Sequence, residues 1–243
     1  MYKLIKLTLV IIILSTFSIK GLSQEGQWIE VRDFETWSSA GIKLKINKHW
    51  EFGLEEQLRL KTNSSLVDSY FTELNAKYKT KSRFEFGAGL RYLKENDNKG
   101  KIQGYENHLR YNFDLGYKHF LNRFKLGYRL RFQSKNELGV STEEGDYLNR
   151  HFRFKIGSKY NIKNWKFDPK LSAEFFYHME EGKENGFDKF RATLATSYKL
   201  KKYGEISIFY RIERELIATY SSYPKTTYIL GLNYIYTIKI KNK

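Results

Sequence analysis

Residues 124–133 read Phe124-Lys125-Leu126-Gly127-Tyr128-Arg129-Leu130-Arg131-Phe132-Gln133. Every even position is apolar or aromatic. Every odd position is charged, polar or glycine. An extended strand points successive side chains to opposite faces, so this order gives one apolar and one polar face. A helix would scatter both sets around its axis.

The same alternation runs outward in both directions. Toward the N-terminus, Tyr105, Leu109, Tyr111, Phe113, Leu115 and Tyr117 alternate with Glu106, His108, Arg110, Asn112 and Asp114. Phe84, Phe86, Ala88, Leu90 and Tyr92 alternate with Arg83, Glu85, Gly87, Gly89 and Arg91. Earlier still, Tyr70, Leu74, Ala76 and Tyr78 oppose Ser69, Glu73, Asn75 and Lys77. Trp50, Phe52, Leu54, Leu58 and Leu60 oppose Glu51, Glu55, Gln57 and Arg59, and Ile42, Leu44 and Ile46 oppose Lys43 and Lys45. Toward the C-terminus the apolar sets are Phe152, Phe154, Ile156 and Tyr160; Trp165, Phe167, Leu171, Ala173, Phe175 and Tyr177; Phe190, Ala192, Leu194, Tyr198 and Leu200; Ile206, Ile208, Tyr210 and Ile212; and Tyr228, Leu230, Leu232, Tyr234, Tyr236, Ile238 and Ile240. That makes eleven clear strands after residue 36, many with the ~9–11 residues that a tilted strand needs to cross a bilayer.

Composition fits that pattern. The 243 residues include 4 Trp, 19 Tyr and 18 Phe, yet mean hydropathy is −0.61. Few soluble domains hold so many tyrosines, whereas membrane barrels place them in belts at both water–lipid interfaces, and only every second strand residue meets lipid. Two prolines leave long hydrogen-bond ladders intact. The absence of cysteine excludes a disulfide scaffold, a thiolate metal site and a lipidated cysteine.

The first residues form an export signal. Lys3 and Lys6 precede an apolar run over 7–14, and Gly21-Leu22-Ser23 puts small residues at the −3 and −1 positions before Gln24. The run is too short to span a bilayer, which needs roughly 20 residues. The reading is a signal peptide over 1–23 and one barrel domain over 24–243. Lys3, Lys6 and Lys20 leave with the signal, so the mature chain carries three charges fewer than the +16 of the whole. For an exported chain such a balance points to lipid phosphates and small anionic solutes, and away from nucleic acid.

Connections alternate in length. Short turns lie near 47–49, 80–82, 118–122, 161–164 and 201–203; longer links lie at 95–103, 136–146, 179–186 and 215–225, with 61–65 between the two classes. Short periplasmic turns and longer outer loops are the habit of outer-membrane barrels. With the C-terminus on the periplasmic side, the strand ending at Ile46 runs inward and needs an upgoing partner, for which 27–32 is available. The expectation is an all-β, antiparallel up-and-down transmembrane barrel of about twelve strands, or ten with a plug segment. A soluble barrel of that size would enclose a void too wide for side chains to fill, so the apolar face points outward. The outer membrane of a Gram-negative bacterium follows as the location.

Several segments carry a family resemblance: Trp37, Glu55-Glu56-Gln57-Leu58-Arg59, Leu90-Arg91-Tyr92, Arg129-Leu130-Arg131-Phe132 and Arg150-His151-Phe152-Arg153. With them, nearly the whole mature chain resembles a family of bacterial outer-membrane barrels called domain of unknown function 2490. The resemblance implies an outer-membrane location and no established activity. Many outer-membrane barrels end on an aromatic residue; this chain ends Ile240-Lys241-Asn242-Lys243.

No G-x-S-x-G, H-E-x-x-H or phosphate-binding glycine loop occurs. Candidate chemistry is therefore on the polar face. Arg59, Arg91, Arg110, Arg129, Arg131, Arg153, Arg191 and Arg211 would line the lumen and favour anions. Paired with Glu55, Glu85, Glu106, Glu174, Glu205 and Glu213, they would instead form a ladder that closes it. His108, His151 and His178 share the polar face. Folding the hairpin about 161–164 sets His151 opposite Glu174, the start of a general base without a nucleophile, although Ser134 and Ser172 lie on nearby strands. Glu143, Glu144 and Asp146 with Glu180, Glu181 and Glu184 form acidic loops that lack EF-hand spacing. No cofactor or metal is implied. The leading reading is a narrow channel or anion-binding barrel. The rivals are a hydrolase at the rim, acting on lipid or cell-wall material, and a structural barrel whose outer loops bind a partner.

Overall fold

A computed structural model describes residues 31–97, 104–141, 143, 148–179, 185–216 and 224–240. The strands are β1 (Val31–Lys45), β2 (Trp50–Lys61), β3 (Leu66–Lys79), β4 (Phe84–Asp97), β5 (Gly104–Leu121), β6 (Phe124–Glu137), β7 (Asn149–Tyr160), β8 (Lys170–Met179), β9 (Gly186–Lys199), β10 (Glu205–Glu215) and β11 (Lys225–Lys239). One 3-10 turn, Lys201–Tyr203, lies between β9 and β10. The signal segment over 1–23 is outside the described residues, as are all the acidic loop residues except Glu143. Among the described residues no helix is long and apolar enough to cross a membrane.

Each strand pairs antiparallel with its sequence neighbour, and the sheet closes on itself. The closure corrects the expected strand count. Among the described residues eleven strands form the barrel, an odd number, so the first and last run the same way. β1 therefore meets β11 in parallel, in unbroken register from Val31↔Lys225 to Lys45↔Lys239. Of the stretch 27–32, only Val31 and Arg32 are described, and they open β1. Evenness is a habit of antiparallel closure; a parallel pair satisfies both edge strands equally well without another strand.

The two ends of the barrel differ. Turns 46–49, 80–83, 122–123, 161–169 and 200–204 share one end, called here the short-turn end. Turn 62–65 and the links after β4, β6, β8 and β10 share the other, the long-loop end. Two turns show how local chemistry holds them. Asn122 takes a left-handed φ of 50° in the tight turn before β6, a conformation its short polar side chain tolerates. Thr62, Asn63 and Ser64 are all left-handed. The Asp33 carboxylate accepts the Thr62 and Asn63 amides at 3.2 and 2.9 Å, tying that turn to β1.

A second correction concerns β8. The sequence suggests a turn at 161–164 followed at once by a strand from Trp165. The link instead runs to residue 169, and Trp165 and Phe167 stand exposed outside the strand. Pro169 offers no amide to a ladder, and its carbonyl accepts the Tyr160 amide at 3.1 Å. Asp168 accepts the Ile162 amide at 3.3 Å. The pairing therefore slides by four residues, and His151 faces His178 while Glu174 faces Lys155. An even slide leaves every side chain on its expected face.

The outer wall is apolar. Leu54, Leu74, Leu90, Phe113, Leu130, Phe154, Leu171, Leu194, Ile208 and Leu232 are all exposed on it. Aromatic pairs cluster near the short-turn end, with Trp50–Tyr78, Phe84–Tyr117, Phe124–Tyr160 and Phe167–Tyr198 centroids 4.7–5.2 Å apart. Near the long-loop end stand Tyr70–Tyr105 and Tyr177–Phe187. The lumen is polar, with one departure: Trp37, Phe71, Leu93, Phe176, Phe209 and Ile229 are apolar and buried inside it.

Candidate functional site

The lumen side chains form a packed waist with a cavity at each end. The waist centres on three acids. Glu174 of β8 is almost fully buried. It accepts hydrogen bonds from Arg129 at 2.6 Å and from the Arg153 Nε at 3.0 Å, and Arg191 lies 3.6 Å away. Glu213 of β10 takes Arg191 at 2.7 Å and Lys189 at 2.9 Å. Glu73 of β3 takes Arg91 at 2.7 Å and Arg110 at 2.9 Å. Beside them Arg131 grips Asp114 with two bonds of 2.6 and 2.7 Å. That fork-to-carboxylate geometry is the strongest form of the contact.

Pairing with acids accounts for only part of the arginine set. Arg59 and Arg211 make no ion pair among the described residues. Arg59 stacks 3.8 Å over the Trp37 ring and donates to Gln57. Arg211 stacks over Trp37 and Phe209 at 4.9 and 4.6 Å and donates to Thr193. Arg91 lies 3.3 Å over Phe71, and Arg153 lies 4.3 Å over Phe176. A ring face supplies negative potential where an acid is absent. Phe71, Phe176 and Phe209 have the parity of the polar face, but each is masked by an outward aromatic beside it, in Tyr70-Phe71, Phe175-Phe176 and Phe209-Tyr210, whereas Trp37 stands between Thr36 and Ser38. Doubled aromatics in a two-residue period are the signal that marks them.

The other sequence candidates take different partners. Glu85 pairs with Lys118. Glu106 accepts from His108 at 3.1 Å, and Glu205 lies 3.7 Å from Lys170. Glu55 lines the long-loop cavity and makes no ion pair among the described residues. His151 and Glu174 are not brought together. His151 meets Asp188 at 3.0 Å and His178 at 3.3 Å. Ser134 and Ser172 complete no nucleophile: the Ser134 hydroxyl is buried without a hydrogen-bond partner among the described residues, and Ser172 lines the short-turn cavity. At the short-turn rim Lys159 donates to Asp168 at 2.9 Å and holds its carboxyl below the usual carboxylate range.

The short-turn cavity encloses about 810 Å³ and the long-loop cavity about 550 Å³. Phe209, Arg131, Arg211 and Asn233 line both, so they mark the boundary. Phe209 lies flat over Gly231, where an added Cβ would fall 2.0 Å from its ring. Glycine is required there by this close approach. The short-turn cavity is lined by Lys77, Lys118, Lys125, Lys155, Lys159, Lys170, Arg129, Arg131 and Arg211 against the acids Glu73, Glu85 and Asp114. Lys77, Lys125 and Lys155 form no ion pair among the described residues.

The family model described as protein of unknown function, DUF2490, matches residues 34–220. The chain belongs to that family. The match covers all of β2 to β10 and most of β1, and so most of the lumen; the lining residues Lys225, Thr227 and Asn233 of β11 lie beyond it. No curated protein matches the chain.

Proposed function

We propose that this DUF2490 protein is an outer-membrane barrel that holds small anionic solutes in its short-turn cavity, behind a closed waist. The observation that carries the reading is the excess of cations around that 810 Å³ space, where Lys77, Lys125 and Lys155 have no ion pair among the described residues. A lined concavity with uncompensated positive charge concentrates anions from the adjoining solution. Cavities of this size suit small molecules.

The membrane part of the proposal rests on the wall. Continuous exposed leucine, isoleucine and phenylalanine around a closed sheet is unfavourable in water and suited to lipid. Aromatic clusters near both ends fit the two interfaces. The short-turn end then faces the periplasm and the long-loop end faces outward. Closure of the waist rests on Glu174, Arg153, Arg91 and Arg110, each less than a tenth exposed, with Arg153 paired to Glu174 and Arg91 and Arg110 both paired to Glu73. A binding barrel is favoured over an open channel on that ground.

The test is calorimetric titration of the refolded protein with inorganic phosphate, beside conductance in a planar bilayer. Saturable binding is expected, with no steady current. Replacing Lys77 and Lys155 together by Met is expected to weaken phosphate about tenfold or more, since a hydrogen bond from a charged group contributes ~1.5–3 kcal/mol. Steady cation-selective current, or phosphate binding indifferent to both lysines, would overturn the proposal.

A further inference from the structure

At the other end of the lumen, three side chains from adjacent strands converge on one point. His151 comes from β7, His178 from β8 and Asp188 from β9. The His151 Nε2 lies 3.0 Å from the Asp188 Oδ2 and 3.3 Å from the His178 Nδ1, and the last two are 4.0 Å apart. The three form a group suited to holding a metal ion.

Asp188 reaches this position because of an irregularity in the sheet. Between β8 and β9 the register passes from Phe176↔Lys189 to Tyr177↔Phe187, so Asp188 is the unpaired extra residue. A bulge of this kind re-aims a side chain. Phe187 stays exposed on the outer wall, and Asp188 and Lys189 both turn inward. Without the bulge Asp188 would face outward with Phe190. This also explains why the aspartate was missed in the sequence, where simple alternation puts it with the wall.

The triangle is poorly served by hydrogen bonds alone. One proton on the His151 Nε2 can satisfy either Asp188 or His178, not both. The other polar atom of two of these side chains, the His151 Nδ1 and the Asp188 Oδ1, is likewise buried with no hydrogen-bond partner among the described residues. A cation at the centre would use all three converging lone pairs at once. For tetrahedral zinc with bonds of about 2.0–2.1 Å, ligand atoms stand about 3.3 Å apart, which matches the observed 3.0–4.0 Å triangle.

We propose that His151, His178 and Asp188 bind a divalent first-row transition cation of the zinc class. Two imidazoles and one carboxylate suit zinc, iron or cobalt, and not calcium or magnesium, which take oxygen ligands. His151 also lines the long-loop cavity, so the site borders that space, from which a fourth ligand could come. Three protein ligands with one open position is the arrangement of sites that hold water or substrate on the metal. The site is independent of the anion-binding proposal, since none of its three residues lines the short-turn cavity.

The experiment titrates the full refolded protein with ZnCl2 by calorimetry, with MgCl2 and CaCl2 as controls, and records the visible spectrum of the Co2+ form. One zinc per chain is expected, with proton release, no comparable heat from Mg2+ or Ca2+, and the intense bands of four-coordinate Co2+. Asp188→Asn, nearly isosteric, and His151→Ala are each expected to weaken zinc about tenfold or more, as losses around metal sites do. His49→Ala, which removes a histidine at the short-turn end, is expected to change nothing. A folded protein that binds no zinc would overturn the site. So would zinc binding that survives both Asp188→Asn and His151→Ala.

Discussion

The two halves of the lumen use positive charge in opposite ways. In the waist and long-loop half, arginines dominate, and each guanidinium either meets a carboxylate or lies on an aromatic ring, as Arg153 does on both Glu174 and Phe176. In the short-turn half, lysines dominate, the wall carries Gly87, Gly116, Gly127 and Gly157, and Lys77, Lys125 and Lys155 line the cavity without an ion pair among the described residues. A planar guanidinium can satisfy an acid and a ring together, so it packs; a compact ammonium on a flexible stem stays hydrated and leaves room. The same sign of charge thus packs one half and, on the proposed reading, furnishes the other for a ligand.

The contrast is tested most severely by removing charge from each half in turn. Glu174→Gln keeps the shape but leaves Arg129, Arg153 and Arg191 without their shared carboxylate. Breaking a buried pair costs about 3–5 kcal/mol, read as a lower urea midpoint of tryptophan fluorescence in lipid vesicles. Lys155→Met, in the roomy half, is expected to leave that midpoint unchanged or raise it. Equal losses in both variants would erase the distinction between the halves.

A smaller effect is expected at their boundary. Gly231→Ala drives a methyl into the Phe209 ring, and overpacking of this kind costs about 1–3 kcal/mol. Because Phe209 lines both cavities, its displacement is also expected to raise bilayer conductance above the parent. A midpoint and a current both identical to the parent would mean that the ring is not held against the strand.

The least effect belongs to the rim. Asp168 is held below the usual carboxylate range by Lys159. Its contribution is therefore present above the ordinary carboxylate pKa and lost as pH falls through the depressed value. Asp168→Asn is expected to remove about 0.5 kcal/mol at neutral pH, typical of an exposed pair, and almost nothing at a pH where Asp168 is already protonated. A loss that stays constant as the pH falls would assign the effect to the Ile162 amide contact instead.

Strict alternation such as that of 124–133 determined by itself that the chain is a sheet protein with one apolar and one polar face, because side-chain direction in a strand depends only on residue parity. The arginines and acids of the polar face were legible for the same reason. Three things escaped it. Strand number turned on how β1 and β11 close, a pairing between the two ends of the chain that no local pattern encodes. The partners of His151 turned on the slide of β8 around Pro169 and on the bulge at Asp188, where one extra residue breaks the parity on which the reading depends. The division of the lumen turned on Phe71, Phe176 and Phe209, whose parity already points them inward but whose packing beneath Arg91, Arg153 and Arg211 depends on which strands meet. Parity is a local property of the chain; closure, register and the meeting of lumen side chains are relations between distant strands, and only the tertiary structure decides them.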